Sequence, residues 1–185
     1  MAEDHKQTPA SGPIPWRVPV AVEDVADEGQ HVDLVADSET RAAVARMAGL
    51  RDLPRFEAAF DVSRHGQGGL RVVGKVSATV GQTCVVTLEP IANQVTEDID
   101  LVYVPQAAAQ NAAEDGSADL PAEDETEPLI GGSVDLGALA TEFLILGLDP
   151  YPRKAGAIFQ PPADAGPGEG PFAALGALKK GRDGA

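Results

Sequence analysis

Apolar and polar residues alternate most cleanly between Arg55 and Ser63, where Phe56, Ala58, Phe60 and Val62 fall on one side and Arg55, Glu57, Asp61 and Ser63 on the other. A period of two is that of a strand with one wet face. His65-Gly66-Gln67-Gly68-Gly69 then offers positive-φ positions for a reversal, and Leu70, Val72, Val76, Ala78 and Val80 resume the inward side. This pattern predicts a long antiparallel hairpin. Gly74 interrupts its second strand and marks either a bulge or a close backbone approach. Shorter alternating runs precede the hairpin at Trp16–Val22 and His31–Val35, and Pro19 places the first of them at an edge. A further pair follows, with Cys84-Val85-Val86-Thr87-Leu88 turning at Glu89-Pro90 into a strand that carries Val95, Ile99, Leu101 and Tyr103 inward. The sheet then has at least four strands.

Two segments change period. Asp37 or Ser38 can cap a helix running to about Ala48, stopped by Gly49, with Val44, Ala45, Met47 and Ala48 as its apolar stripe and Arg41 and Arg46 in water. After Gly131-Gly132, Asp135 is the N-cap of a second helix whose Leu136, Leu139, Ala140, Phe143 and Leu144 form one face, expected to lie on the sheet. Gly147 and Asp149-Pro150-Tyr151-Pro152 end it and force an extended exit.

The fold class predicted is α+β: a twisted antiparallel sheet, open or closed toward a barrel, with two main helices. Residues 1–15 read as a disordered leader and 16–155 as the folded domain. Within it, 106–128 is a disordered acidic insertion whose only large apolar residue before Pro128 is Leu120. Residues 156–185 read as a flexible Gly/Pro/Ala-rich tail. Near its end Phe172, Leu175 and Leu178 are spaced three apart ahead of Lys179 and Lys180, so 171–180 is either a docking peptide or a turn that folds back.

Charge narrows the function. The formal net charge of the 185 residues is -15, and from Val76 to Pro152 there is no Lys or Arg among fourteen acidic residues. Such a surface repels polyanions and suits a basic protein, although excess acid also simply confers solubility. Cys84 is the only cysteine, which excludes an intramolecular disulfide. The start of the chain is polar, and no apolar run approaches the roughly 18 to 20 residues of a membrane span. A cytoplasmic protein without membrane contact is expected.

Catalytic chemistry finds little to work with. His5, His31 and His65 fall in the leader, a strand and a turn, and Cys84 lacks a second thiol, so no metal site or cofactor is predicted. Cys84 reads as a small buried hydrophobe. Asp98 and Asp100 share a strand face, as in metal-dependent nucleases, yet alternate acids usually form a strand's solvated side. Gly66-Gln67-Gly68-Gly69 lacks the lysine and following helix of a phosphate loop.

Three blocks resemble the YceD family of large ribosomal RNA subunit accumulation proteins. Val76 through Cys84 to Pro90 is similar to the family's strand, Cys-x-x-Cys element and turn. Val134-Asp135-Leu136 through Glu142 to Pro150-Tyr151-Pro152-Arg153 resembles its helix and proline-marked exit. Pro171-Phe172-Ala173-Ala174-Leu175 with Leu178-Lys179 resembles its C-terminal element. Thr87 stands where many members have a second cysteine, which undercuts any metal or redox role for paired thiols.

The resemblance implies a bacterial ribosome-biogenesis factor acting in accumulation or processing of large-subunit ribosomal RNA, its gene commonly beside that of a small large-subunit ribosomal protein. It nominates Cys84, Thr87, Leu88, Glu89 and Pro90 at one turn, and Asp135, Glu142, Pro150 and Pro152 at another. It also nominates Phe172, Leu175, Leu178, Lys179 and Lys180 as the docking peptide. The reading is a non-enzymatic adaptor for a basic ribosomal protein or pre-ribosomal particle. Two rivals stay open: a metal-dependent ribonuclease using Glu97, Asp98 and Asp100, and direct RNA binding through Arg41, Arg46, Arg51, Arg55, Arg64 and Arg71. Oligomeric state is not legible.

Overall fold

The computed structural model describes residues 14–106 and 126–159. The chain divides into two units, Met1–Lys154 and Ala155–Ala185. Every regular element among the described residues lies in the first, and 155–159 form no helix or strand. The nominated Phe172, Leu175, Leu178, Lys179 and Lys180 lie outside the described residues.

The hairpin is the spine of the fold. Strands β3 (Asp52–His65) and β4 (Gly69–Thr83) pair antiparallel, and β2 (Gln30–Val35) and β5 (Pro90–Pro105) add to the two sides. Phe56, Phe60, Val62, Leu70, Val72, Val76 and Val80 are all buried on the inward face, as the alternation requires. At Gly74 the register is unbroken opposite Phe60. A Cβ there would strike the Phe60 ring and the Ala59 carbonyl, so the glycine marks a close approach and not a bulge.

The sheet is mixed and open, ordered β2-β3-β4-β5-β6, because β6 (Thr126–Leu129) runs parallel to β5. This corrects the expectation of a wholly antiparallel sheet, and of the two forms expected, open or closed toward a barrel, the sheet takes the first. A parallel neighbour needs a crossover of a dozen or more residues, which the run from 106 to 125 supplies. The expected disorder of 106–128 falls mostly outside the described residues, and its last three members belong to β6.

Helix α1 (Ser38–Met47) begins at Asp37, whose carboxylate accepts from the Thr40 amide at 2.7 Å. It buries Val44 and Ala45 while Met47 is exposed, so its stripe is narrower than predicted. Arg41 folds back to donate to the Ala36 carbonyl instead of extending into water. Helix α2 (Leu136–Leu146) starts at Asp135 as expected and buries Leu136, Leu139, Ala140 and Leu144 in the same core cluster as the strands and α1. One sheet face is therefore covered and the other is wet.

The N-terminal run forms a sheet of its own. Only Pro19–Ala21 (β1) is strand, paired with β7 (Ser133–Asp135) as an edge that tolerates Pro19. Trp16, before it, is buried edge-on against Phe56 with ring centroids 4.6 Å apart.

Candidate functional site

Two nominated blocks, distant in sequence, meet at one end of the sheet. Residues Cys84–Leu88, predicted as strand, form a turn instead: Leu88 adopts φ 60, its amide reaches the Cys84 carbonyl at 2.9 Å, and the Cys84 amide reaches the Glu89 carbonyl at 2.9 Å. A left-handed leucine cannot continue a ladder, so β4 ends at Thr83 and β5 starts at Pro90.

The exit from α2 crosses this turn. The Val85 amide donates to the Pro152 carbonyl at 2.9 Å, Gln82 Nε2 to the Asp149 carbonyl at 3.0 Å, and Lys154 Nζ to Glu89 at 2.9 Å. Pro152 and Cys84 are both buried there. The Cys84 sulfur accepts from two amides, Lys154 at 3.3 Å and Thr87 at 3.4 Å. The Lys154 amide first, then the Thr87 side chain and amide, pull the thiol down from 9.0 to about 6 against the opposing effect of burial. The turn is thus closed without a second cysteine, and Thr87 contributes both its side chain and its backbone. Lys154 in turn lowers the Glu89 carboxyl, with help from the Thr87 side chain.

Asp135 joins the other end of the helix to the N-terminal run. One carboxylate oxygen accepts from the Val18 amide at 2.8 Å and the Ala138 amide at 3.1 Å, and Arg17 lies in ion-pair range of the second. Glu142 stands apart from both junctions. It rims a cleft of about 310 Å³ between α2, β5 and β6, floored by Leu101, Tyr103, Leu139 and Phe143 and also flanked by Leu146 and Glu127. Burial, then the nearby Glu127 and Glu142 charges, push the Tyr103 hydroxyl up to about 12. Neither glutamate has an ion-pair partner among the described residues, and Leu146 is 72% exposed. Sequence spacing alone could not reveal this cleft, because β6 was hidden in the acidic run.

The remaining nominations separate. Asp98 and Asp100 do share the wet face, where Asp98 pairs with Lys75 at 3.0 Å and Asp100 with Arg71 through two bonds of 2.7 and 2.9 Å. Glu97 is on the opposite side of β5, near Gly147. The three carboxylates therefore do not converge, and no group of three or more potential metal ligands occurs among the described residues. Of the six arginines, Arg55 is bound to Glu57, Arg64 to the Val25 carbonyl and Arg71 to Asp100. Arg41, which donates to the Ala36 carbonyl, lines one groove between α1 and β3 together with Arg46 and Arg51. No helix among the described residues is long and apolar enough to cross a membrane.

Comparison with known families returns one match: the model of the large ribosomal RNA subunit accumulation protein YceD aligns with residues 72–179, more than half of the chain. The match takes in β4 from Val72 on, the Cys84 turn, α2 and its exit, and begins well after the three grouped arginines. No curated protein and no solved structure matches the chain.

Proposed function

The chain belongs to the YceD family of large ribosomal RNA subunit accumulation proteins, and on that premise we propose that it is a non-catalytic cytoplasmic assembly factor that holds a basic ribosomal protein. One observation carries the reading. The cleft between α2, β5 and β6 combines an apolar floor with Glu127 and Glu142, acids without an ion-pair partner among the described residues, and its described lining comes entirely from a stretch without a single Lys or Arg. Apolar floor and anionic rim are complementary to a cationic segment that carries an apolar anchor.

The ribonuclease alternative fares worse. Asp98 and Asp100 already neutralise Lys75 and Arg71, so a metal ion would have to compete with two fixed cations. The proposed role is tested in cells. Deleting the gene is expected to lower mature large-subunit rRNA relative to the small-subunit species, with rescue by the wild-type gene and not by a Glu127→Lys/Glu142→Lys form. Unchanged rRNA in the deletion strain would count against the role, and full rescue by the double variant would count against the cleft.

A further inference from the structure

The groove between α1 and the start of β3, about 380 Å³, gathers Arg41, Arg46 and Arg51 over an apolar floor that includes Leu50 and Leu53. Arg46 and Arg51 are exposed and have no ion-pair partner among the described residues. Asp52, also on the groove, offsets one of the three charges. Arg51 and Leu50 also line an adjoining cleft of about 370 Å³ whose other walls include Gln82, Val85, Asp149, Pro150 and Pro152, so a second acid borders this surface. The arginine groove therefore runs into the junction of the two family blocks. Tyr151, between those prolines, is 71% exposed.

We propose that this groove binds the phosphate backbone of single-stranded RNA, with Tyr151 as a stacking surface for a base. Guanidinium groups match phosphate oxygens in a planar, two-pronged geometry, and the exposed Tyr151 ring, carried between two prolines that line the adjoining cleft, offers a face that takes a base without regard to sequence. The choice of RNA as the polyanion rests on the family's link to ribosomal RNA. The phosphate chemistry rests on the arginines.

The chain's net negative charge does not forbid this. Arg51 donates its amide to the Gly81 carbonyl at one end of β4, whereas Glu127 of the acidic cleft pairs with Tyr103 opposite Leu70 at the other. Gly81 and Leu70 are roughly 37 Å apart along the strand, at about 3.4 Å per residue. Charges that far apart are largely screened, since the Debye length is about 8 Å at physiological ionic strength. One end of the sheet can thus take a cation-rich partner and the other an anionic one.

The test is fluorescence anisotropy of a labelled single-stranded RNA oligonucleotide with the full chain across a salt series. Wild type is expected to bind, with affinity falling as salt rises. Arg46→Gln/Arg51→Gln, two exposed positions whose replacement leaves the core intact, is expected to weaken binding at least tenfold and to flatten the logarithmic salt slope by about 0.7 per arginine. Tyr151→Ala is expected to lose severalfold at unchanged slope. Arg55→Gln/Arg64→Gln, whose arginines are engaged elsewhere, should bind as wild type does. Absence of binding at low salt, equal binding by the Arg46/Arg51 variant, or displacement of RNA by polyglutamate at equal charge concentration would overturn the proposal. A basic protein that still binds an RNA-incompetent variant would leave the acidic-cleft reading standing.

Discussion

The backbone amide of Lys154 donates to the sulfur of Cys84 across 3.3 Å, joining residues 70 apart in sequence. With the Val85–Pro152 bond it fastens the exit of α2 to the turn between β4 and β5. The nominated turn and exit are therefore one structural unit, and the lone cysteine is its acceptor.

Two amide donors favour the thiolate. Cys84 is accordingly expected to titrate near pH 6, followed by the ultraviolet absorbance of the thiolate, where an unfolded control titrates near 9. Because the folded value is the lower one, the stabilisation is full above pH 9, declines as pH falls and is absent below about 6. The urea midpoint of wild type should thus exceed that of Cys84→Ala by more at pH 9 than at pH 6. A gap that narrows as pH rises would show that the amides do not favour the anion.

Leu88 is 76% exposed and held at φ 60. A left-handed conformation costs a side-chain-bearing residue about 1–2 kcal/mol, and glycine avoids that cost at the expense of greater freedom in the unfolded chain. Leu88→Gly is expected to raise stability by about 0.5–1 kcal/mol in denaturant titration. A destabilised variant would mean that the leucine side chain supports the turn.

Asp135 serves the Ala138 amide as an N-cap and the Val18 amide as a tether. Loss of the cap alone costs about 1 kcal/mol. Leaving the Val18 donor without its partner adds about 1–2 kcal/mol. Asp135→Ala should therefore destabilise by about 2–3 kcal/mol in urea unfolding, and Asp135→Asn, which keeps an acceptor oxygen, by clearly less. Equal losses would assign the effect to the Arg17 charge pair.

The hairpin and both helices were legible because each is written in local periodicity, and a capping residue precedes each helical stripe, Asp135 for one and the pair Asp37 or Ser38 for the other. Phe56 to Val62 alternates, Asp37 and Asp135 precede helical stripes, and burial follows. What failed was non-local. Val85, Val86 and Leu88 look like strand until the Pro152 and Cys84 carbonyls claim the Val85 and Leu88 amides. Thr126–Leu129 ends a run of acids, and only pairing with Val102–Pro105 makes it a strand. The resemblance nominated both halves of the Cys84–Lys154 junction, yet nothing in sequence placed them in contact. Counting arginines likewise could not separate Arg71, bound to Asp100, from Arg51, which lines an open groove.

The acidic cleft is tested most directly by calorimetric titration of the full chain with a purified, small, basic ribosomal protein of the large subunit, at low and physiological salt. Binding is expected to weaken as salt rises, and Glu127→Gln/Glu142→Gln to reduce affinity about tenfold, some 1.4 kcal/mol, while the variant keeps its wild-type unfolding midpoint. No heat of binding, or an affinity that neither salt nor the two substitutions alter, would contradict a cleft built to hold a cationic partner.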